Sequence, residues 1–124
     1  MAFGEFEMAL QSYRHAITIR EQLSAKDPEN AEARAELASS YAKLGQAYTA
    51  LASNPKIRPA NRADQWREAH SWLQRSLKLW TIMRQNGTLR GSDASQPDSI
   101  ATQIARCDGE LKKFKDKLPR PSKS

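Results

Sequence analysis

The sequence predicts an all-α fold of about four antiparallel helices joined by short links. Apolar residues recur at three- and four-residue steps along four long segments, which is the spacing of one face of a helix. Proline and glycine are concentrated between those segments, and none of the segments has a convincing strand pattern. The 124 residues, 39% hydrophobic and 27% charged, therefore predict one globular helical domain over residues 1–117 and a short tail over residues 118–124.

The first helix is predicted over residues 3–25. Its apolar stripe falls at helical spacing and consists of Phe6, Ala9, Leu10, Tyr13, Ala16 and Ile17. Ile19 and Leu23 extend the apolar surface, so the helix needs neighbours on two sides. Almost no sequence precedes it, and one candidate neighbour is a second copy of the chain in a homodimer through this helix.

The second helix is predicted over residues 28–52, with Asp27 as its N-cap and Pro28 in the first helical position. Its apolar stripe is Leu37, Tyr41, Leu44 and Tyr48. Interspersed alanines keep the helix thin and allow a neighbouring helix to approach closely. Pro55 and Pro59 end it, which predicts a loop over residues 53–61.

The third helix is predicted over residues 62–85 and has two apolar edges. The main stripe is Trp66, Ala69, Leu73, Leu77, Trp80 and Met83. Trp72, Ser76 and Leu79 form the second edge, which we expect to face the fourth helix. If that helix leaves Trp72 uncovered, its ring becomes a candidate for contact with a peptide.

The fourth helix is predicted over residues 97–117, after a loop in which Gly87 is placed to end the third helix. Ser95 and Asp98 have the spacing of a capping box, with Asp in place of Glu. The apolar stripe is Ile100, Ile104, Cys107, Leu111 and Phe114. Two prolines stop the helix, and we expect the remaining residues to be disordered.

Parts of the first and third helices repeat each other at an offset of sixty residues: Phe6, Ala9, Tyr13, Ala16 and Ile17 correspond to Trp66, Ala69, Leu73, Ser76 and Leu77. The segment "LASSYAKLG" of the second helix adds Leu37, Ala38, Tyr41 and Gly45. These patterns resemble the tetratricopeptide (TPR) family, whose 34-residue unit has W-x2-L-G-x2-Y on its first helix and A-x3-F on its second. Arg34 replaces the tryptophan, and the stretch between Gly45 and Arg62 resembles an insertion.

The resemblance implies helix hairpins stacked in a right-handed superhelix, with the fourth helix as a capping helix. It also implies that the first helix is the second half of a repeat, so that the chain is the C-terminal end of a longer array. The same residues are similar to the repeats that end certain bacterial serine/threonine kinases, although the kinase motifs themselves are absent from this sequence. The alternative is a freestanding four-helix domain.

The sequence contains no recognisable catalytic constellation, so we predict no catalytic residue, no bound cofactor and no metal site. His15 and His70 lack a second ligand at helical spacing and are predicted to be surface residues. Cys107 lies on an apolar stripe and is predicted to be a small core residue. The single cysteine, together with the lack of a signal peptide and of an apolar run long enough to span a membrane, favours a cytoplasmic location.

Binding of a partner protein is the favoured function. TPR proteins hold peptides in a groove lined mainly by first helices, and the resemblance places Glu32, Ala35, Glu36, Ser39, Ala42 and Lys43 along that groove. The lysine and asparagines with which some family members clamp a carboxylate are missing at the matching positions. The alternative is that these residues form an ordinary solvated face.

The net charge of +6 is concentrated at the C-terminus. Residues 112–124 hold six cations and one acid, and the cations are Lys112, Lys113, Lys115, Lys117, Arg120 and Lys123. The alternative function is therefore a small basic helical protein that binds nucleic acid or an acidic partner through this tail. No base-reading motif accompanies the charge, so nucleic acid is the less favoured partner.

Overall fold

A computed structural model of the chain describes the backbone of residues 3–117 and the side chains of residues 4–58 and 61–115. It contains four helices: α1 (Phe3–Lys26), α2 (Ala31–Ala52), α3 (Pro59–Gln85) and α4 (Gln96–Lys117). A short 3-10 helix, Gly91–Ser95, precedes α4, and the described chain has no strand. The all-α prediction with four helices is confirmed.

The start of α2 differs from the prediction by three residues. Asn30, and not Asp27, is its N-cap, because the Asn30 side chain accepts a hydrogen bond of 3.0 Å from the backbone N–H of Ala33. The backbone N–H of Asp27 instead donates to Leu23 at the end of α1, and the carbonyl of Asp27 accepts from the N–H of Asn30. Pro28 therefore lies in the turn between the helices.

A proline marks the start of α3 and a glycine marks its end. The helix begins with proline at position 59, three residues earlier than predicted, which shortens the predicted loop. At its other end Gly87 has a φ of 72°, and its N–H donates to the carbonyl of Arg84. The N–H of Thr88 donates to the carbonyl of Met83, which completes a Schellman motif and ends the helix.

Consecutive helices pack against each other in an open stack. The extensive contacts within the described chain join α1 to α2, α2 to α3 and α3 to α4, whereas α1 and α4 do not pack together. Side chains also link alternate helices: the amide of Gln46 donates to Gln103 at 3.1 Å, and Arg14 lies 3.8 Å from Glu68. Within the described chain the helices therefore pack mainly on their neighbours in sequence and do not form a closed bundle.

The closest crossing joins α2 and α3. Gly45 of α2 lies against Leu73 and Ala69, all three of which are buried. The buried Ser76 hydroxyl donates a hydrogen bond of 2.7 Å to the backbone carbonyl of Ala38. Small residues at these positions allow the two backbones to approach, as the alanine pattern of the sequence predicts.

The face of α1 that points away from α2 is not covered by any other described helix. All the large hydrophobic side chains that are exposed in the described chain lie on this helix: Met8 (70%), Tyr13 (37%), Ile19 (45%) and Leu23 (54%). By contrast, Leu10 and Ile17 on the opposite face are buried against α2. Within the described residues, none of the helices has the length and apolar character needed to cross a bilayer.

Candidate functional site

The exposed face of α2 forms the floor of an open depression of about 350 Å³. It is lined by residues of α1, α2 and the 3-10 helix, namely Arg20, Glu32, Ala35, Glu36, Ser39, Ser40, Lys43 and Asp93. We call this set the α2 pocket. Asn30 fixes where α2 begins and thereby places Glu32 in the first turn of the helix at one end of the pocket.

Each neighbouring element supplies one charged side chain to the α2 pocket. Arg20 reaches across from α1 and donates to the carboxylate of Glu36 at 2.7 Å. Asp93 comes from the 3-10 helix that follows α3. The hydroxyl of Ser40 is turned toward its own helix and donates to the backbone carbonyl of Glu36 at 2.9 Å.

The α2 pocket combines paired and unpaired charges. Glu36 and Arg20 neutralise each other, while the side chains of Glu32, Lys43 and Asp93 have no hydrogen-bond or ion-pair partner among the described residues. Exposed charges with no partner in the same chain can pair with another molecule without first breaking an internal contact. The pocket therefore presents charges of both signs that are not engaged within the described chain.

Five of the six residues that the sequence places along a groove line the α2 pocket: Glu32, Ala35, Glu36, Ser39 and Lys43. The sixth, Ala42, is only 6% exposed and belongs to the core, so its prediction as a groove residue is wrong. Ala42 lies one helical turn after Ala38, on the side of α2 that faces its neighbours. The contributions of Arg20 and Asp93 were missed because they come from other elements, and nothing in the local spacing signals them.

Trp72 faces the α1–α2 side of α3, and not α4 as predicted. Its ring lies 5.9 Å from that of Tyr41, and its indole N–H donates to Glu68 at 3.1 Å. The guanidinium of Arg75 lies 4.4 Å from the ring centroid, and that of Arg14 lies 5.7 Å from it. Trp72 is half-buried, and its contact with Arg14 joins α1 to α3.

Polar contacts tie α1 to α2 at two further points. Arg14 donates to the Tyr48 hydroxyl, and the Tyr41 hydroxyl donates to the Glu21 carboxylate at 2.7 Å. Burial and this charged acceptor raise the pKa of Tyr41 well above its ordinary value. A second depression of about 350 Å³ lies beside Arg14 and has three carboxylates in its lining, those of Glu7, Asp64 and Glu68.

The histidines and the cysteine occupy separate places. The Nε2 atom of His70 lies 2.9 Å from the Asp108 carboxylate of α4, and His15 is exposed on α1. Cys107 is fully buried, which raises the pKa of its thiol. Within the described chain, no group of three His, Cys, Asp or Glu side chains is arranged to hold a metal ion.

Four of the six C-terminal cations are part of α4. Lys112, Lys113 and Lys115 are exposed on its last turns, and the helix ends at Lys117. Lys113 pairs with Glu110 at 3.3 Å. Arg120 and Lys123, with the disorder predicted for residues 118–124, lie outside the described residues.

Comparisons of this chain with protein-family models, with curated proteins and with solved structures gave no match. The resemblance to TPR repeats, and to the repeat regions of bacterial kinases, therefore stays a prediction from the sequence.

Proposed function

We propose that this chain is a non-catalytic, TPR-like module that binds a partner protein through the α2 pocket. The observation that carries the proposal is the convergence of five predicted groove residues on one open pocket. The unpaired Lys43 and Glu32 give that pocket two charges with which to select a partner segment. The resemblance to the repeats of bacterial kinases extends the proposal to a regulatory role.

Two features of the stack support a TPR-like arrangement. Each helix packs on its neighbours in sequence, as in repeat proteins whose units contact only the next unit. The small-residue crossing at Gly45 and Ala38 falls on the segment that resembles the first-helix motif. The packing of α4 on α3 supports its role as the capping helix.

Selection from a library of displayed random peptides would test the proposal, because it needs no knowledge of the natural partner. Peptides enriched on the wild-type chain would be titrated calorimetrically against Lys43→Glu and Glu32→Lys variants. We expect each charge reversal to weaken binding at least about tenfold, since it converts an attraction into a repulsion. Reversing the matching charge in the peptide should recover the affinity.

Lys78→Glu is the matched control, because Lys78 is exposed on α3 and lies outside the α2 pocket. It changes the net charge as Lys43→Glu does and should leave the affinity unchanged. If the selected peptides bind both pocket variants as tightly as they bind the wild type, the α2 pocket is not the binding site.

A further inference from the structure

We propose that the exposed stripe of α1 is a dimer interface, covered by the same stripe of a second copy that runs antiparallel. The stripe consists of Glu5, Met8, Ser12, Ala16, Ile19, Leu23 and Lys26, at steps of three or four residues. It includes three of the four exposed large hydrophobic side chains of the described chain. Exposed apolar surface concentrated on one helix face marks an interaction site.

The stripe is complementary to itself when it is turned end for end. A two-fold axis passing between residues 15 and 16 places Met8 opposite Leu23 of the second copy, and Ser12 opposite its Ile19. The same axis places Glu5, at the acidic end, opposite Lys26, at the basic end. One two-fold operation generates each of these three pairings twice: Met8 with Leu23, Ser12 with Ile19, and Glu5 with Lys26.

The charges select the antiparallel arrangement over the parallel one. Parallel helices would bring Glu5 opposite Glu5 and Lys26 opposite Lys26, and like charges at an interface disfavour association. Antiparallel helices also oppose their macrodipoles. Ser12 and Ala16, near the axis, are small enough for the two helices to approach closely.

The length of α1 sets the strength of the dimer. Its 24 residues span about 36 Å. One pair of helices of this length buries less than the roughly 1,600 Å² of a standard stable interface. We therefore expect a reversible dimer with a dissociation constant in the micromolar range, on the order of that of weak, transient complexes.

Sedimentation equilibrium over a wide range of concentration tests the association. We expect a monomer–dimer equilibrium in the wild type and at least about a hundredfold weaker association in Leu23→Glu, because the substitution removes an apolar contact twice per dimer. Leu23 is more than half exposed, so the variant should retain the helical circular dichroism of the wild type. The control is Ala105→Glu, at an exposed position of α4, which should associate like the wild type.

Disulfide trapping tests the register. Ala16→Cys, beside the axis, should cross-link to itself in the dimer. Met8→Cys should not, because the two copies of residue 8 are about 22 Å apart along the helix, but it should cross-link to a Leu23→Cys chain in a mixture. The native Cys107 is buried, and the wild-type chain therefore measures the background level of cross-linking.

Three outcomes would overturn the proposal. A wild-type chain that stays monomeric up to millimolar concentration has no such interface. A dimer that survives Leu23→Glu unchanged uses another face of the molecule. Self-cross-linking of Met8→Cys would show a parallel pair of helices, which contradicts the two-fold arrangement.

Discussion

Gly45 should be the position in α2 where the smallest possible enlargement does measurable damage. A Cβ atom added there would lie 2.7 Å from Leu73 Cγ, 3.0 Å from Leu73 Cδ2 and 3.2 Å from the carbonyl oxygen of Ala69. Carbon atoms in favourable contact are about 3.5–4.0 Å apart, so Leu73 or the backbone of α3 has to move. Leu73 is fully buried, so any movement of its side chain must be taken up by the surrounding core.

The expected effect of Gly45→Ala is the difference between two opposing terms. Overpacking of a buried site costs about 1–3 kcal/mol. Replacing glycine by alanine inside a helix stabilises it by about 0.8–1.0 kcal/mol. We therefore expect a net loss in the free energy of unfolding that is centred near 1 kcal/mol.

Gly109→Ala is the matched control for the gain in helix propensity. Gly109 lies inside α4, is exposed, and has no atom within 4 Å of the Cβ position. This variant should gain stability, by about 0.8–1.0 kcal/mol. Urea denaturation followed by circular dichroism at 222 nm, a helix signal, measures both variants on one scale.

A double-mutant cycle with Leu73→Ala then identifies the atoms that clash. Once Leu73 is truncated, Gly45→Ala should be neutral or stabilising, which gives a coupling of at least about 1 kcal/mol. If Gly45→Ala stabilises the wild-type chain as much as Gly109→Ala does, the close crossing of α2 and α3 is not present in solution.

Three further predictions concern single hydrogen bonds. Asn30→Ala should lower the free energy of unfolding by about 1 kcal/mol through loss of the α2 N-cap; urea denaturation checks this, and an unchanged midpoint would contradict it. Ser76→Ala should lower the free energy of unfolding by about 0.5–1.5 kcal/mol. Ser71→Ala, at an exposed position five residues earlier, should stay within about 0.5 kcal/mol of the wild type. Equal effects would show that the hydrogen bond to α2 contributes nothing. In the unfolded chain Tyr41 has a pKa of about 10, and in the folded state it keeps its proton at higher pH. Its contribution to the free energy of unfolding is therefore complete below pH 10. That contribution is lost as the pH rises further, at up to about 1.4 kcal/mol per pH unit. Tyr41→Phe should be less stable than the wild type at pH 7, because it lacks the hydrogen bond to Glu21. It should also lose less stability above pH 10, because it has no hydroxyl to ionise. Parallel pH profiles in urea titrations would contradict the raised pKa, and Tyr13→Phe controls for the loss of one tyrosine.

The helices could be predicted because their period is a local property, but their first residues could not. Asp27 and Asn30 are both good N-cap residues, and Pro28 between them favours the earlier start. The choice was decided by the turn in which the Asn30 N–H donates to the Asp27 carbonyl, which leaves the Asn30 side chain free to cap α2. Two candidates three residues apart cannot be separated by spacing alone.

The candidate site was predictable where it depends on one helix and not where it depends on several. The 3.6-residue period groups Glu32, Ser39 and Lys43 on one face whatever surrounds them. It does not show that Arg20 crosses from α1, or that the 3-10 helix brings in Asp93. The prediction that Trp72 faces α4 was wrong for the same reason, because periodicity defines an edge of α3 but does not show which helix covers it.

The sixty-residue repeat shows how far burial is decided by neighbours and not by the residues themselves. Ala69, Leu73 and Ser76 are fully buried because α2 packs over them. Their counterparts on α1 are more accessible, and Tyr13, the counterpart of Leu73, is exposed because none of the described helices occupies the equivalent place beside α1.

The two proposed surfaces can therefore be separated experimentally. Leu23→Glu alters the uncovered face of α1 without changing any residue that lines the α2 pocket, and Lys43→Glu does the reverse. If peptides bind the monomeric Leu23→Glu chain as tightly as they bind the wild type, a single chain is sufficient for binding. Dimerisation then only increases the number of binding sites in one assembly. If binding is lost together with the dimer while the helical circular dichroism is unchanged, the partner site needs both copies, and the pocket as defined on one chain is incomplete.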